Sequence, residues 1–185
     1  MTHLAHTPDG GFEMSALVPC PGCGAPVSDI DGPTHRYIGA SPGCWEAYGR
    51  LLSRGYGEEG SAGYGTVHRL SVDVYAAQHP GVPGKQSSQS VAGHLFVLCL
   101  VLERHLDPAF ATPAIKQFIE QHKERGFAWL EPPPSLGDIT VLDVIEATSA
   151  ADHYRRVLRW AESVWLAWKP HHDKVRTWAD ESGYK

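Results

Sequence analysis

Three of the chain's four cysteines fall within one short stretch, CPGCGAPVSDIDGPTHRYIGASPGCW, from Cys20 to Trp45. Cys20-Pro21-Gly22-Cys23-Gly24 is a C-x2-C turn. That spacing lets two thiolates reach one tetrahedral ion at about 2.3 Å each. Pro21 stiffens the turn, and the two glycines let the backbone bend around a metal. Ser41-Pro42-Gly43-Cys44 then reads as a helix start, with Ser41 as N-cap and Pro42 at the first helical position. Cys44 falls in the first turn, where the positive end of the helix dipole favours a thiolate. The chemistry this points to is zinc binding by Cys20, Cys23 and Cys44. A fourth ligand is needed. His35 follows the Asp31-Gly32-Pro33 turn and completes C-x2-C-x11-H-x8-C, so it is the first choice. His79, delivered by tertiary folding, is the second.

Beyond the knuckle, a second group of residues could move protons or hold a small molecule. His68, Asp73, Tyr75 and His79 share one helical segment, and His94 opens the next. A histidine beside a carboxylate, with a tyrosine near, supplies the parts of a general acid–base site. In that case the metal serves as Lewis acid or hydroxide source. The alternative is a structural zinc with the histidines as caps and hydrogen-bonded core residues, and it is the favoured one. Coordination separates the two: four protein ligands make a closed structural site, three plus water a catalytic one. His68 and His79 lie eleven residues apart, or about 16 Å along a helix, so one continuous helix cannot bring both to one ion. If the two helices pack antiparallel, His79 and His94 meet in one polar pocket beside the knuckle, with Asp73 and Tyr75 along the way.

The elements that position these groups are helices. Trp45, Tyr48 and Leu52 repeat at helical spacing from Pro42, and Gly55 is expected to end that helix. Gly57–Gly65 reads as a loop. Val67–His79 is a helix closed by Pro80, followed by a Gly/Pro/Ser loop over 81–88. Val91–Leu106 is apolar nearly all round, the mark of a central buried helix, with Cys99 as a core residue. Pro113–Arg125 is amphipathic and stops at Gly126. Thr140 with Asp143, and Ser149 with Asp152, form two capping boxes ahead of a short and a long helix. His153, Val157, Trp160, Val164 and Trp168 stripe the long one, and Pro170 must kink or interrupt it. Trp165 falls off the stripe, which leaves room for an outward-facing aromatic and an adaptor role. Ala25–Ile30 is expected as a short strand.

The expected fold is therefore mostly α: a single-domain helical bundle over 18–182 with a small N-terminal zinc knuckle, after a loose polar tail over 1–17. At 185 residues the chain can bury a real core. The formal charge of −5 argues against nucleic acid, which needs a basic patch. The longest apolar run, Leu95–Leu102, is too short to span a bilayer, and no signal-peptide core precedes the knuckle. A cytoplasmic protein with reduced thiols, and with a small molecule as its partner if it has one, is the expectation. No phosphate loop, G-x-S-x-G elbow or H-E-x-x-H is present.

CPGCG, GPTHRY, SPGCW, HRLSVDVYAAQHPG, the SV-x-x-HL segment and the tryptophan-rich end W-x-x-W-x-P-HH together resemble an uncharacterised bacterial family known only as a domain of unknown function. The resemblance spans roughly residues 18 to 180. It implies one complete domain and no particular activity, substrate or partner.

Overall fold

The computed structural model describes residues 16–57 and 64–185. A two-stranded antiparallel ribbon comes first. β1 (Leu17–Pro19) pairs with β2 (Pro26–Ser28), in the register Leu17 to Ser28 and Val18 to Val27. The Cys20–Gly24 turn joins the strands: the Gly24 amide donates to the Cys20 carbonyl at 2.8 Å, with Gly24 at φ 74°, where glycine pays no side-chain clash. Ribbon and turn thus form the knuckle.

Seven α-helices follow among the described residues. They are α1 (Pro42–Gly57), α2 (Tyr64–Gln78), α3 (Lys85–Leu102), α4 (Ala111–Gln121), α5 (Val141–Ile145), α6 (Ala150–Ala167) and α7 (His172–Glu181). The mostly helical fold is as expected from the periodicity. Several boundaries differ; α2 begins at Tyr64, α4 ends at Gln121 and α5 at Ile145, and three differences have a visible cause. α1 continues past Gly55 to Gly57, since a lone glycine weakens a helix by only about 1 kcal/mol. α3 begins at Lys85, six residues early, because Ser87 bonds back to the carbonyls of Val82 and Gly84 and so organises a first turn out of polar residues. It ends at Leu102: the Leu106 amide closes on the Leu100 carbonyl at 2.9 Å, and His105 takes φ 56°, a left-handed stop made without glycine. The expected tail over 1–17 falls mostly on residues 1–15, and the expected glycine loop mostly on 58–63, both outside the described residues. Leu17, placed in that tail, pairs in the ribbon.

α3 is the centre of the bundle. It packs against α2, α4, α6 and α7, and Leu95 to Leu100 are completely buried. The two cap signals near 140 and 149 are realised. Asp143 accepts from the Thr140 amide at 2.8 Å, and Ser149 accepts from the Asp152 amide at 3.2 Å. Lys169–His171 form one tight 3-10 turn between α6 and α7, as proline inside a helix requires. Trp160, Trp165 and Trp168 are all buried. Trp165, off the stripe, stacks on His172 with centroids 3.8 Å apart and donates to Glu103 at 3.0 Å. The bundle itself therefore uses the off-stripe tryptophan, and the outward aromatic face of an adaptor is not formed. Near the C-terminus, Tyr184 packs edge-on against Phe96.

Gln78 is a device the sequence did not reveal. Its side chain is fully buried at the end of α2. The amide nitrogen donates to the carbonyls of Ile139 and Leu136 at 2.7 and 3.2 Å, and its oxygen accepts from the Trp160 indole at 2.9 Å. One residue thereby ties α2, α6 and the extended segment before α5. Nothing in a lone glutamine after a helical run signals this; the partners lie 58 to 82 positions away.

Candidate metal centre

Three elements converge at one end of the bundle. The knuckle turn brings Cys20 and Cys23. The first turn of α1 brings Cys44, whose amide points at the Ser41 hydroxyl at 3.4 Å. The C-terminal end of α2, stopped by Pro80, brings His79. The four ligand atoms lie within 4.8 Å of one another. Cys20, Cys44 and His79 are at most 2 % exposed, and Cys23 is half-buried.

The spacing fits a tetrahedral metal. Ligands placed about 2.3 Å (sulfur) and about 2.0 Å (nitrogen) from one ion put neighbouring sulfurs about 3.8 Å apart and sulfur and nitrogen about 3.5 Å apart. Cys23 and Cys44 are separated by 3.8 Å between sulfurs, and Cys44 Sγ lies 3.4 Å from His79 Nε2. Ordinary thiol packing has no reason to reproduce both edges while drawing in an imidazole nitrogen.

His79 is held for this task. Its Nδ1 lies 2.7 Å from the carbonyl of Tyr75, one turn back on α2. A carbonyl only accepts, so Nδ1 carries the proton and Nε2 faces the thiols. This backing by a carbonyl is the usual second layer behind a ligating histidine. Tyr75 does more: its hydroxyl donates to Cys44 Sγ at 3.5 Å, and its ring lies between Tyr48 and His79. Gly22 is required by space. A Cβ there would come 2.4 Å from Cδ2 of the His79 ring and 2.9 Å from the Gly39 carbonyl. The knuckle glycine is thus where the imidazole packs.

The protonation energetics describe a site in search of positive charge. Hydrogen bonds from Cys23 and then Cys44 hold the Cys20 thiol far below the usual thiol range. Cys44, which donates to Cys20 and Cys23 and is buried, is pushed far up. Burial, followed by the electrostatics of the neighbouring cysteine sulfurs, raises Tyr75. At His79 burial works against the imidazolium, but the bonds to Cys20 and Cys23 outweigh it and lift the ring to about 9. A bound cation would replace those shared protons.

The expected ligand set is corrected at one position. His35, the first choice, is not among the clustered groups. Its ring packs edge-on against Tyr37 with centroids 4.2 Å apart and lies tilted 5.7 Å from Trp45. His79, the second choice, is the histidine grouped with the three cysteines, because the end of α2 lands on the knuckle while the His35 ring packs toward Trp45 of α1.

The proton-transfer set also divides. Tyr75 and His79 belong to the metal cluster. Asp73 instead pairs with His94, Oδ1 to Nδ1 at 2.7 Å, and with Arg69 at 3.0 Å. Among the described residues His79 and His94 share no hydrogen-bond partner, and the hollow that His94 lines is not lined by His79. The reason is the early start of α3: His94 lies nine residues in, about 13 Å along the axis, opposite Asp73 rather than opposite the end of α2. His68, three turns before His79, is in neither group; burial, then Arg69, lowers its pKa. Cys99 is a fully buried core residue, its thiol raised to about 11 by burial and then by Glu103. Among the described helices none is long and apolar enough to cross a membrane.

A family model, described as a family of unknown function (DUF5946), matches residues 18–169. The chain belongs to that family, and the match takes in all four clustered residues. Neither a curated protein nor a solved structure matches the chain.

Proposed function

We propose that this member of the DUF5946 family is a zinc-binding protein, in which Cys20, Cys23, Cys44 and His79 hold one ion at a closed structural centre. One observation carries the reading: four ligand atoms from three separate elements lie within 4.8 Å of one another, and the Cys23–Cys44 and Cys44–His79 separations match the edges of a tetrahedral thiolate–imidazole site. Three soft thiolates with one imidazole, and no carboxylate, suit zinc among the common divalent ions. Four protein donors leave no position for water or substrate, which favours a structural over a catalytic metal.

The ion's work is then mechanical. The ribbon is two strands of three residues, too small to be stable by itself. Zinc clamps it to α1 and to the end of α2, and binding becomes part of the folding free energy. His79 gives one nitrogen to the metal and the other to Tyr75, so the clamp reaches into the helical core.

The test is elemental analysis of protein purified without chelator, on the unmodified chain and on Cys44→Ser. About one zinc per chain is expected in the first, and a large loss in the second. Metal near zero in the unmodified chain, or equal zinc in both, overturns the proposal.

A further inference from the structure

A shallow hollow of about 240 Å³ opens where α3 and α4 face the Arg36–Tyr37 segment. His94 lines it. Asp73 stands behind His94, completely buried, and takes the Nδ1 proton at 2.7 Å while Arg69 occupies the same oxygen at 3.0 Å. A carboxylate only accepts, so in the neutral ring the Nε2 lone pair is left over. Among the described residues Nε2 has no protein partner, and the side chain is 16 % exposed at the hollow. Asp73 keeps Oδ2 buried and unpaired, a cost a purely packing carboxylate would not carry. An imidazole braced this way presents one acceptor in a set orientation.

The charge around it has one sign. Arg36 lines the hollow with no carboxylate paired to it among the described residues; its guanidinium lies 5.8 Å from the Tyr37 ring centre. A second hollow adjoins, sharing Arg36 and Tyr37 and adding Lys85. No acidic side chain lines either one, in a chain whose net charge is −5. Two isoleucines supply an apolar part of the lining. Ile115 and Ile119 come from α4, which approaches closely because residue 93 is glycine: a Cβ there would meet Ile115 Cδ1 at 3.0 Å.

We propose that this hollow binds a small organic anion that also carries a hydroxyl group. The anionic group sits on Arg36, the hydroxyl donates to Nε2 of His94, and the carbon chain lies on Ile115 and Ile119. Asp73 is a positioning residue that fixes the tautomer and orientation of the ring. The metal cluster takes no part, so this site and the zinc centre stand or fall separately.

The test uses the full chain as purified, with calorimetric titration by four probes. Two carry the hydroxyl, 2-hydroxybutyrate and glycerol 3-phosphate; two lack it, butyrate and propyl phosphate. Saturable binding of a hydroxylated probe is expected, at least about tenfold tighter than its deoxy partner. Which hydroxylated probe wins identifies the anion as carboxylate or phosphate. Arg36→Ala and His94→Gln are expected to weaken it about tenfold or more at unchanged zinc content. Long-range proton–nitrogen spectra should show the His94 proton on Nδ1, and in Asp73→Asn a changed tautomer balance. No saturation by any probe up to about 10 mM, binding that survives both substitutions, or a proton on Nε2 in the unmodified chain overturns the proposal.

Discussion

Tyr75 grips His79 and Cys44 at once: its carbonyl takes the Nδ1 proton of His79 at 2.7 Å, and its hydroxyl reaches Cys44 Sγ at 3.5 Å. One buried tyrosine therefore orients two of the four clustered ligands from behind. Tyr75→Phe keeps the ring stack and the carbonyl and removes only the bond to sulfur. Metal affinity is expected to fall about tenfold, the low end for the loss of a supporting partner, with the helical content unchanged. Competition with a chromogenic chelator measures it, and unchanged affinity would refute the role.

The two histidines that compete for the fourth position are separable. His79→Ala is expected to lose most of the metal and to lower the melting temperature, since folding and ligation are coupled. His35→Ala should retain it, because that ring packs against Tyr37 and Trp45 away from the sulfurs. Metal content of the two variants side by side decides between them, and the reverse pattern would reinstate His35.

Gly22→Ala tests the packing of the imidazole on the knuckle. The added methyl would fall 2.4 Å from the His79 ring and 2.9 Å from a backbone carbonyl, so ring or turn must shift. A destabilisation of about 2 kcal/mol, accompanied by weaker metal binding, is expected from overpacking of this kind. Denaturant unfolding measures the first. No change in either would show that the ring does not sit where the structure puts it.

Gln78→Leu removes three hydrogen bonds without much change of volume. It leaves the Leu136 carbonyl and the Trp160 indole without that partner in a buried place, and the Ile139 carbonyl without it in a half-buried one. The expected loss is about 3 kcal/mol, from unsatisfied groups rather than from a cavity. Chemical denaturation should show it while the zinc content stays the same.

Acid stability depends on Glu103 in a definite direction. Arg176, through two hydrogen bonds, holds its carboxyl below the usual glutamate range, and the Trp165 indole adds to this against partial burial. A lowered folded pKa means stability that is present above the ordinary value of 4.5 and lost as the pH falls through the folded value. Melting temperatures from pH 7 to 3 should therefore drop below about pH 4.5, and Glu103→Gln should flatten part of that drop. An identical pH profile in the variant would show that the pair contributes nothing.

How much was legible in the chain varies with the range of the interaction. Two cysteines in C-x2-C, a third behind Ser-Pro at a helix start, the all-apolar run of Leu95–Leu102 and the two capping boxes are local patterns. Each carries its reason within a few residues, so the knuckle, the buried central helix and the starts of α5 and α6 follow from the sequence. Where α3 begins was less legible. Six polar residues ahead of Val91 look like loop until the Ser87 hydroxyl is seen to close the first turn on Val82 and Gly84.

The partners of the histidines were decided by the tertiary structure alone. His35 and His79 are equally good ligands by type, and spacing favoured the nearer one. What chose His79 is the landing of the α2 terminus on the knuckle, with Gly22 making room for the ring and Tyr75 turning Nε2 toward the sulfurs. His94 could be assigned to His79 or to Asp73 only once the start of α3 was known. Six extra residues of helix move it about 9 Å along the hairpin, from one partner to the other. A sequence states which groups can ligate or pair; which of them meet depends on the register of elements far apart in the chain, and that is set by packing.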